Sequence, residues 1–215
     1  MAKKFIMPKT VKIGGIVHNV IFPYNFPDSP EEVGHYCFAT ALIKIADTYK
    51  DKPRAKSSIH QTLLHEIIHG IDAIYCDFSI DPDPNIDRFA TGWYDILINN
   101  NLYLNKDHYF PKKIKIGGYV YNIVYPYEIV DSRNMYAVDF EGKVIKIYGE
   151  NGTSPHAERQ SFIASILHII RHSFSIDEPF NGNGNGNSVL FNNLASGFHQ
   201  VLVDNDIEKV IKSGI

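Results

Sequence analysis

The chain has 215 residues, 44% of them hydrophobic and 13% aromatic, which is enough apolar material for a packed core and excludes global disorder. Its 21 basic and 24 acidic side chains leave a formal charge of −3, without the basic excess that nucleic acid or an anionic membrane surface demands. Neither is expected as a partner.

After Met1-Ala2-Lys3-Lys4 the apolar run is only Phe5-Ile6-Met7 before Pro8, too short for the apolar stretch of a signal sequence. No segment approaches the roughly 20 apolar residues of a membrane helix. The two cysteines, Cys37 and Cys76, form neither a CxxC pair nor a disulfide framework, so a cytoplasmic location is expected. Both read as small packing residues, with no charge pattern that would lower a thiol pKa.

In chain order, Val11 and Ile13, then Val17, Val20 and Phe22, alternate around Gly14-Gly15, which predicts a hairpin. The same text returns later. Pro8-Lys9-Thr10-Val11-Lys12-Ile13-Gly14-Gly15 is matched by Pro111-Lys112-Lys113-Ile114-Lys115-Ile116-Gly117-Gly118, an offset of 103. The offset is 102 at Ile43-Lys44-Ile45 against Ile145-Lys146-Ile147, and 105 at Ala90-Thr91-Gly92-Trp93 against Ala195-Ser196-Gly197-Phe198. A second strand pair is clearest at Met135 to Tyr148, turning at Glu141-Gly142.

From about Pro53 to Tyr75, Leu63, Leu64, Ile67, Ile68, Ile71 and Ile74 recur at helical spacing, with Ser58 and Gln61 a candidate capping box. A last helix opens at Asp83-Pro84 and runs to about Asn100. The corresponding helices of the second copy are separated by Asn181 to Asn187, alternating Asn and Gly, which predicts a flexible loop. The expected fold class is therefore α+β, in two tandem copies of one small domain, residues 1–108 and 109–215. Each copy is expected to be a mostly antiparallel four-stranded sheet followed by two helices.

The strongest chemical signal is His65-Glu66-Ile67-Ile68-His69. Histidines four apart share a helix face and reach one Zn²⁺ at about 2 Å, while Glu66 faces the open side and can take a proton from bound water. That combination serves peptide hydrolysis.

With Thr62-Leu63-Leu64 before it, Gly70-Ile71-Asp72 after it and a following helix containing Asp87-Arg88-Phe89-Ala90, the motif resembles the small phage and bacterial zincin-like proteins of the ImmA/IrrE type. The resemblance implies a zincin fold, a Zn²⁺ cofactor, a protein or peptide substrate and a bacterial or phage-infected cytosol. It also implies a Glu as third ligand early in the following helix, where this chain has Asn85. Asp87 is the preferred replacement ligand, with Asp81 and Asp83 as alternatives and His60 less well placed. Tyr94 is a candidate for polarising a substrate carbonyl.

The second copy keeps His168 and His172 but has Ile169 in place of Glu66 and Arg171 in place of Ile68, so hydrolysis is not expected there. About seven residues are missing after His172, and His156 with His199 could form a relic metal site. His18, His35 and His108 lack ligand spacing and read as surface residues. The expected function is a zinc-dependent peptidase in the first copy, using His65, His69, Asp87, Glu66 and Tyr94. The alternative is a decayed zincin scaffold that binds a protein as inhibitor or sequestering partner.

Overall fold

The computed structural model describes residues 5–80, 83–102, 104, 110–128, 135–149, 153–176 and 185–213, with only the backbone for 185–188. Strands β1 (Thr10–Ile13) and β2 (Ile16–Ile21) turn at Gly14 and Gly15, whose φ values of 59° and 85° suit glycine. Strands β3 (Gly34–Cys37) and β4 (Leu42–Ile45) form a second hairpin. The order is β1-β2-β4-β3, with β1/β2 and β3/β4 antiparallel and β2/β4 parallel. The sheet is thus mixed, two antiparallel pairings around one parallel one. The segment between β2 and β3 carries the chain to the far edge, and β3 is left with one open side.

A short hairpin, β5 (Thr48–Tyr49) with β6 (Lys52–Pro53), precedes helix α1 (Lys56–Tyr75), which is followed by α2 (Asp83–Asn99). Helix α1 follows Ala55 with no side-chain cap, so Ser58 and Gln61 do not form the expected capping box. Ser58 instead accepts from Arg54, and Gln61 donates to Thr91 of α2. The spacing of α1 works as its sequence dictates: Leu63, Leu64, Ile67, Ile68 and Ile71 are buried along one side.

The second repeat restates the plan with β7 (Lys113–Ile116), β8 (Tyr119–Tyr127), β9 (Tyr136–Asp139) and β10 (Val144–Tyr148) in the order β7-β8-β10-β9. Helices α3 (Pro155–Ser173), α4 (Asn185–Asp204) and a further short α5 (Ile207–Lys212) follow. Helix α3 is capped by Ser154, whose Oγ accepts from the Ala157 N–H at 3.2 Å. It ends one residue after His172, whereas α1 runs six residues beyond His69. Asn185 to Asn187, expected in a loop, begin α4; the rest of that Asn-Gly run lies outside the described residues.

The repeats share one continuous apolar core, in which α1 packs on α4 and α2 on α3. Equivalent residues meet across it: Trp93 and Phe198 stack at 4.8 Å. Gly92 lies against Ile170 of α3, and its counterpart Gly197 against Ile71 of α1. Asn205 Oδ1 accepts from the Lys12 N–H at 2.6 Å and its Nδ2 donates to Lys12 O at 2.9 Å. Asn100 treats Lys115 alike, at 2.7 and 2.8 Å. Each repeat's second helix therefore seals the other repeat's first hairpin, as in a twofold dimer joined into one chain.

Candidate metal centre

Helices α1 and α2 run antiparallel, so residues four apart on one face residues four apart on the other. His65 Nδ1 is 2.8 Å from Asp87 Oδ1, and His69 Nε2 is 3.5 Å from Asp83 Oδ1. The two Nε2 atoms of His65 and His69 face each other at 2.9 Å. His65, His69 and Asp83 can each offer a ligand atom within 4.8 Å of one another, a group able to hold a metal ion.

Of the carboxylates expected as third ligand, the geometry groups Asp83 rather than Asp87 with the two histidines. Asp87 is engaged with the ring nitrogen of His65 that points away from His69, the position from which a carboxylate orients a ligand imidazole. Asp83 stands on the ligand side. Asn85 is buried and turned inward, its Nδ2 donating to Ile80 O at 3.3 Å. Asp81 lies outside the described residues. His60 is buried beneath Phe5 and bonded to Ile6 O, away from the cleft.

Glu66 is 5% exposed beside the pair. Burial, then the negative charges of Asp83, Glu32 and Asp87, push its carboxyl up to about 8, against a hydrogen bond from the Tyr36 N–H that favours the carboxylate. Room for it comes from Gly34, where any Cβ would overlap Glu66 and the Thr62 methyl. Just before β3 the Val33 carbonyl accepts from the Ala46 N–H, which fixes the alternation: the backbone groups of His35 and Cys37 pair inward with β4, and those of Gly34 and Tyr36 face the open edge.

A cleft runs between this edge and the helices. One part, about 470 Å³, is bounded by Tyr36, Phe38, His69, Phe78 and Asp83. The other, about 610 Å³, is bounded by Glu31, Arg54, Thr62, Asp87 and Thr91. Both share Glu32, Gly34, His65 and Glu66.

Tyr94 does not line this cleft; it packs on the core with its hydroxyl near Ser57. His18 is buried rather than on the surface: its Nδ1 donates to Ile16 O and its Nε2 is hydrogen-bonded to Tyr36 Oη, which steadies the Tyr36 side chain. His35 is exposed and pairs with Glu32 at 3.0 Å, and His108 lies outside the described residues. Hydrogen bonds from Thr40 hold the Cys37 thiol below its ordinary range, contrary to expectation, while burial pushes Cys76 up to about 12.

The second repeat has the same helix face, but among the described residues aromatic rings pack over its histidines. By strand pairing, Tyr136 occupies the place of Gly34, and its ring stands 6.3 Å from His168. Phe140 stacks on His172 at 4.3 Å, and Phe191 packs against His168. Aromatic rings thus fill the space that Gly34 and Glu66 keep open in the first repeat. His156 and His199 do meet, with ring centroids 4.7 Å apart, but burial and then the His156 and Arg159 charges lower His199 to about 4. Among the described residues no carboxylate joins them in a metal group.

No protein-family model, curated protein or solved structure matches this chain. Among the described residues, no helix is long and apolar enough to cross a membrane.

Proposed function

We propose that the first repeat is a metal-dependent peptidase of the zincin type. The carrying observation is the convergence of two imidazole Nε2 atoms and the Asp83 carboxylate beside the buried Glu66, at the wall of an open cleft. The donor set suits Zn²⁺: two neutral imidazoles and one carboxylate, leaving a position open.

When bound, the ion would supply Lewis acidity and bring the pKa of water there to about 7. Asp87 holds the His65 ring by its other nitrogen. Glu66 takes a proton from the attacking water and delivers it to the departing amine. The Tyr36 N–H holds the Glu66 carboxylate in place, and the exposed backbone groups of β3 offer a substrate strand an edge to pair with.

Zinc content of the purified full chain, with cleavage of a mixed peptide library analysed by mass spectrometry, tests this reading. The expected result is zinc-dependent cleavage that Glu66→Gln abolishes. Zinc-loaded protein that cleaves nothing would favour the other reading, a scaffold retained for protein binding. The aromatic plug of the second repeat, built on Tyr136 and Phe140, is the observation on its side.

A further inference from the structure

The two ends of the cleft differ in chemistry. At the His69 end, Phe38 and Phe78 meet edge to face at 6.1 Å while remaining 49% and 58% exposed. Adjoining exposed apolar side chains at the rim of a cleft are a feature of ligand-binding grooves. Phe78 is held there by design of the loop. The buried Asp72 accepts from the Ile80 N–H at 3.0 Å, its carbonyl accepts from the Phe78 N–H, and both Asp77 and Phe78 have left-handed φ values, 51° and 56°. That conformation is unfavourable for side chains of this size, yet it keeps the Phe78 ring at the cleft. Phe174 of the second repeat, which with Ser175-Ile176 repeats the Phe78-Ser79-Ile80 run, has an ordinary φ of −108° and packs on the core.

At the other end the wall is acidic. Glu31 and Asp87 lie there, with Glu32 and Glu66 at the junction of the two parts, and among the described residues of the lining Arg54 is the one fixed cation. Its guanidinium is spent on Val33 O, Ala46 O, Ser58 O and Thr62 Oγ1. A dication held at the centre would be offset by Asp83 and Asp87, and Arg54 by Glu66. Glu31 and Glu32 then remain as negative charge beyond that balance, Glu32 lying 3.0 Å from His35.

We infer that the cleft takes an extended peptide with a large apolar side chain at the Phe38–Phe78 end and a basic side chain at the Glu31–Glu32 end, on opposite sides of the bond over Glu66. This rests on the peptidase reading of the same site, and it names the substrate class.

The test uses the full chain carrying Glu66→Gln, with Zn²⁺ added, so that binding is read without turnover. Fluorescein-labelled Gly-Ser octapeptides carry one Phe and one Arg, two to four positions apart and in both orders. Matched peptides carry Arg→Glu or Phe→Ser, and affinity is read by anisotropy. A Phe/Arg peptide is expected to bind at least about tenfold tighter than either matched peptide. Adding Phe78→Ala, or Phe38→Ala as a second variant, is expected to erase the Phe/Ser difference and leave the Arg/Glu difference. Glu31→Lys with Glu32→Lys is expected to reverse the Arg/Glu difference; circular dichroism confirms that each variant is folded.

Equal affinity for all peptides, a preference for Glu, or preferences that survive these substitutions would overturn the inference. Wild-type cleavage of a mixed library without bias toward apolar and basic flanks would also overturn it, leaving the peptidase reading intact. Selective binding without any cleavage by the wild type would remove the peptidase reading and leave the cleft's selectivity standing.

Discussion

Gly34 and Glu66 are mutually dependent: the carboxylate occupies the volume that any side chain at Gly34 would claim. Gly34→Ala therefore displaces Glu66 from its place beside the histidine pair while leaving His65, His69 and Asp83 untouched. Zinc stoichiometry is expected to persist while kcat/KM on cleaved library peptides drops by about a hundredfold, the scale of a misplaced catalytic group. Unchanged kcat/KM would show that Glu66 is not the base. The second repeat has made a more drastic change at this place, Tyr136, together with the loss of the acid at Ile169.

Glu66 sets a pH dependence of stability in the metal-free chain. Its carboxyl titrates near 8 when folded against an ordinary 4.5, so between these values the folded state holds the proton more strongly than the unfolded state. Stability from this group is fully present below pH 4.5 and is lost as pH rises toward 8. Glu66→Gln is expected to remove that loss, making the metal-free variant more stable than wild type at pH 8 by on the order of a few kcal/mol. Urea unfolding at pH 5 and pH 8 checks this; equal wild-type and variant stabilities at pH 8 would contradict it.

Asp83 and Asp87 are expected to separate when zinc affinity is measured by chelator competition. Asp87→Asn keeps a partner for the His65 ring and should weaken binding by about 10–100-fold, as loss of an orienting carboxylate does. Asp83→Asn removes a ligand and should weaken it further. The reverse order would reassign the two roles.

The joint between the repeats makes a symmetric prediction. Asn100 and Asn205 each bind both backbone groups of a lysine in the opposite hairpin and a carbonyl of their own helix. Asn100→Ala and Asn205→Ala should each cost about 1–3 kcal/mol in urea unfolding. A marked cost from one and none from the other would contradict the twofold description.

The duplicated plan was legible because Gly14-Gly15 and Gly117-Gly118, the histidine pairs and the paired second helices repeat at nearly constant offset. The parallel β2/β4 pairing was not, since alternation identifies strands without saying which neighbour each takes. The choice between Asp83 and Asp87 turns on the rotation of α2 against α1, which spacing alone leaves open; the match of their four-residue spacing to that of His65 and His69 was the available signal. Gly34 carried no chemical signature, and its counterpart Tyr136 is reached only through strand pairing at an offset of 102. His18 looked like a surface residue because a strand's period shows that one face is inward without showing that a polar side chain on it finds a partner such as Tyr36.

Peptidase chemistry in the first repeat requires that one ion be held by His65, His69 and Asp83. Diffraction from crystals of the full chain grown with zinc, recorded on both sides of the zinc absorption edge, tests it directly. One strong anomalous peak per chain is expected, in contact with Nε2 of both histidines and a carboxylate oxygen of Asp83. A metal-replete crystal with no peak there, or with the ion bound elsewhere, would contradict it.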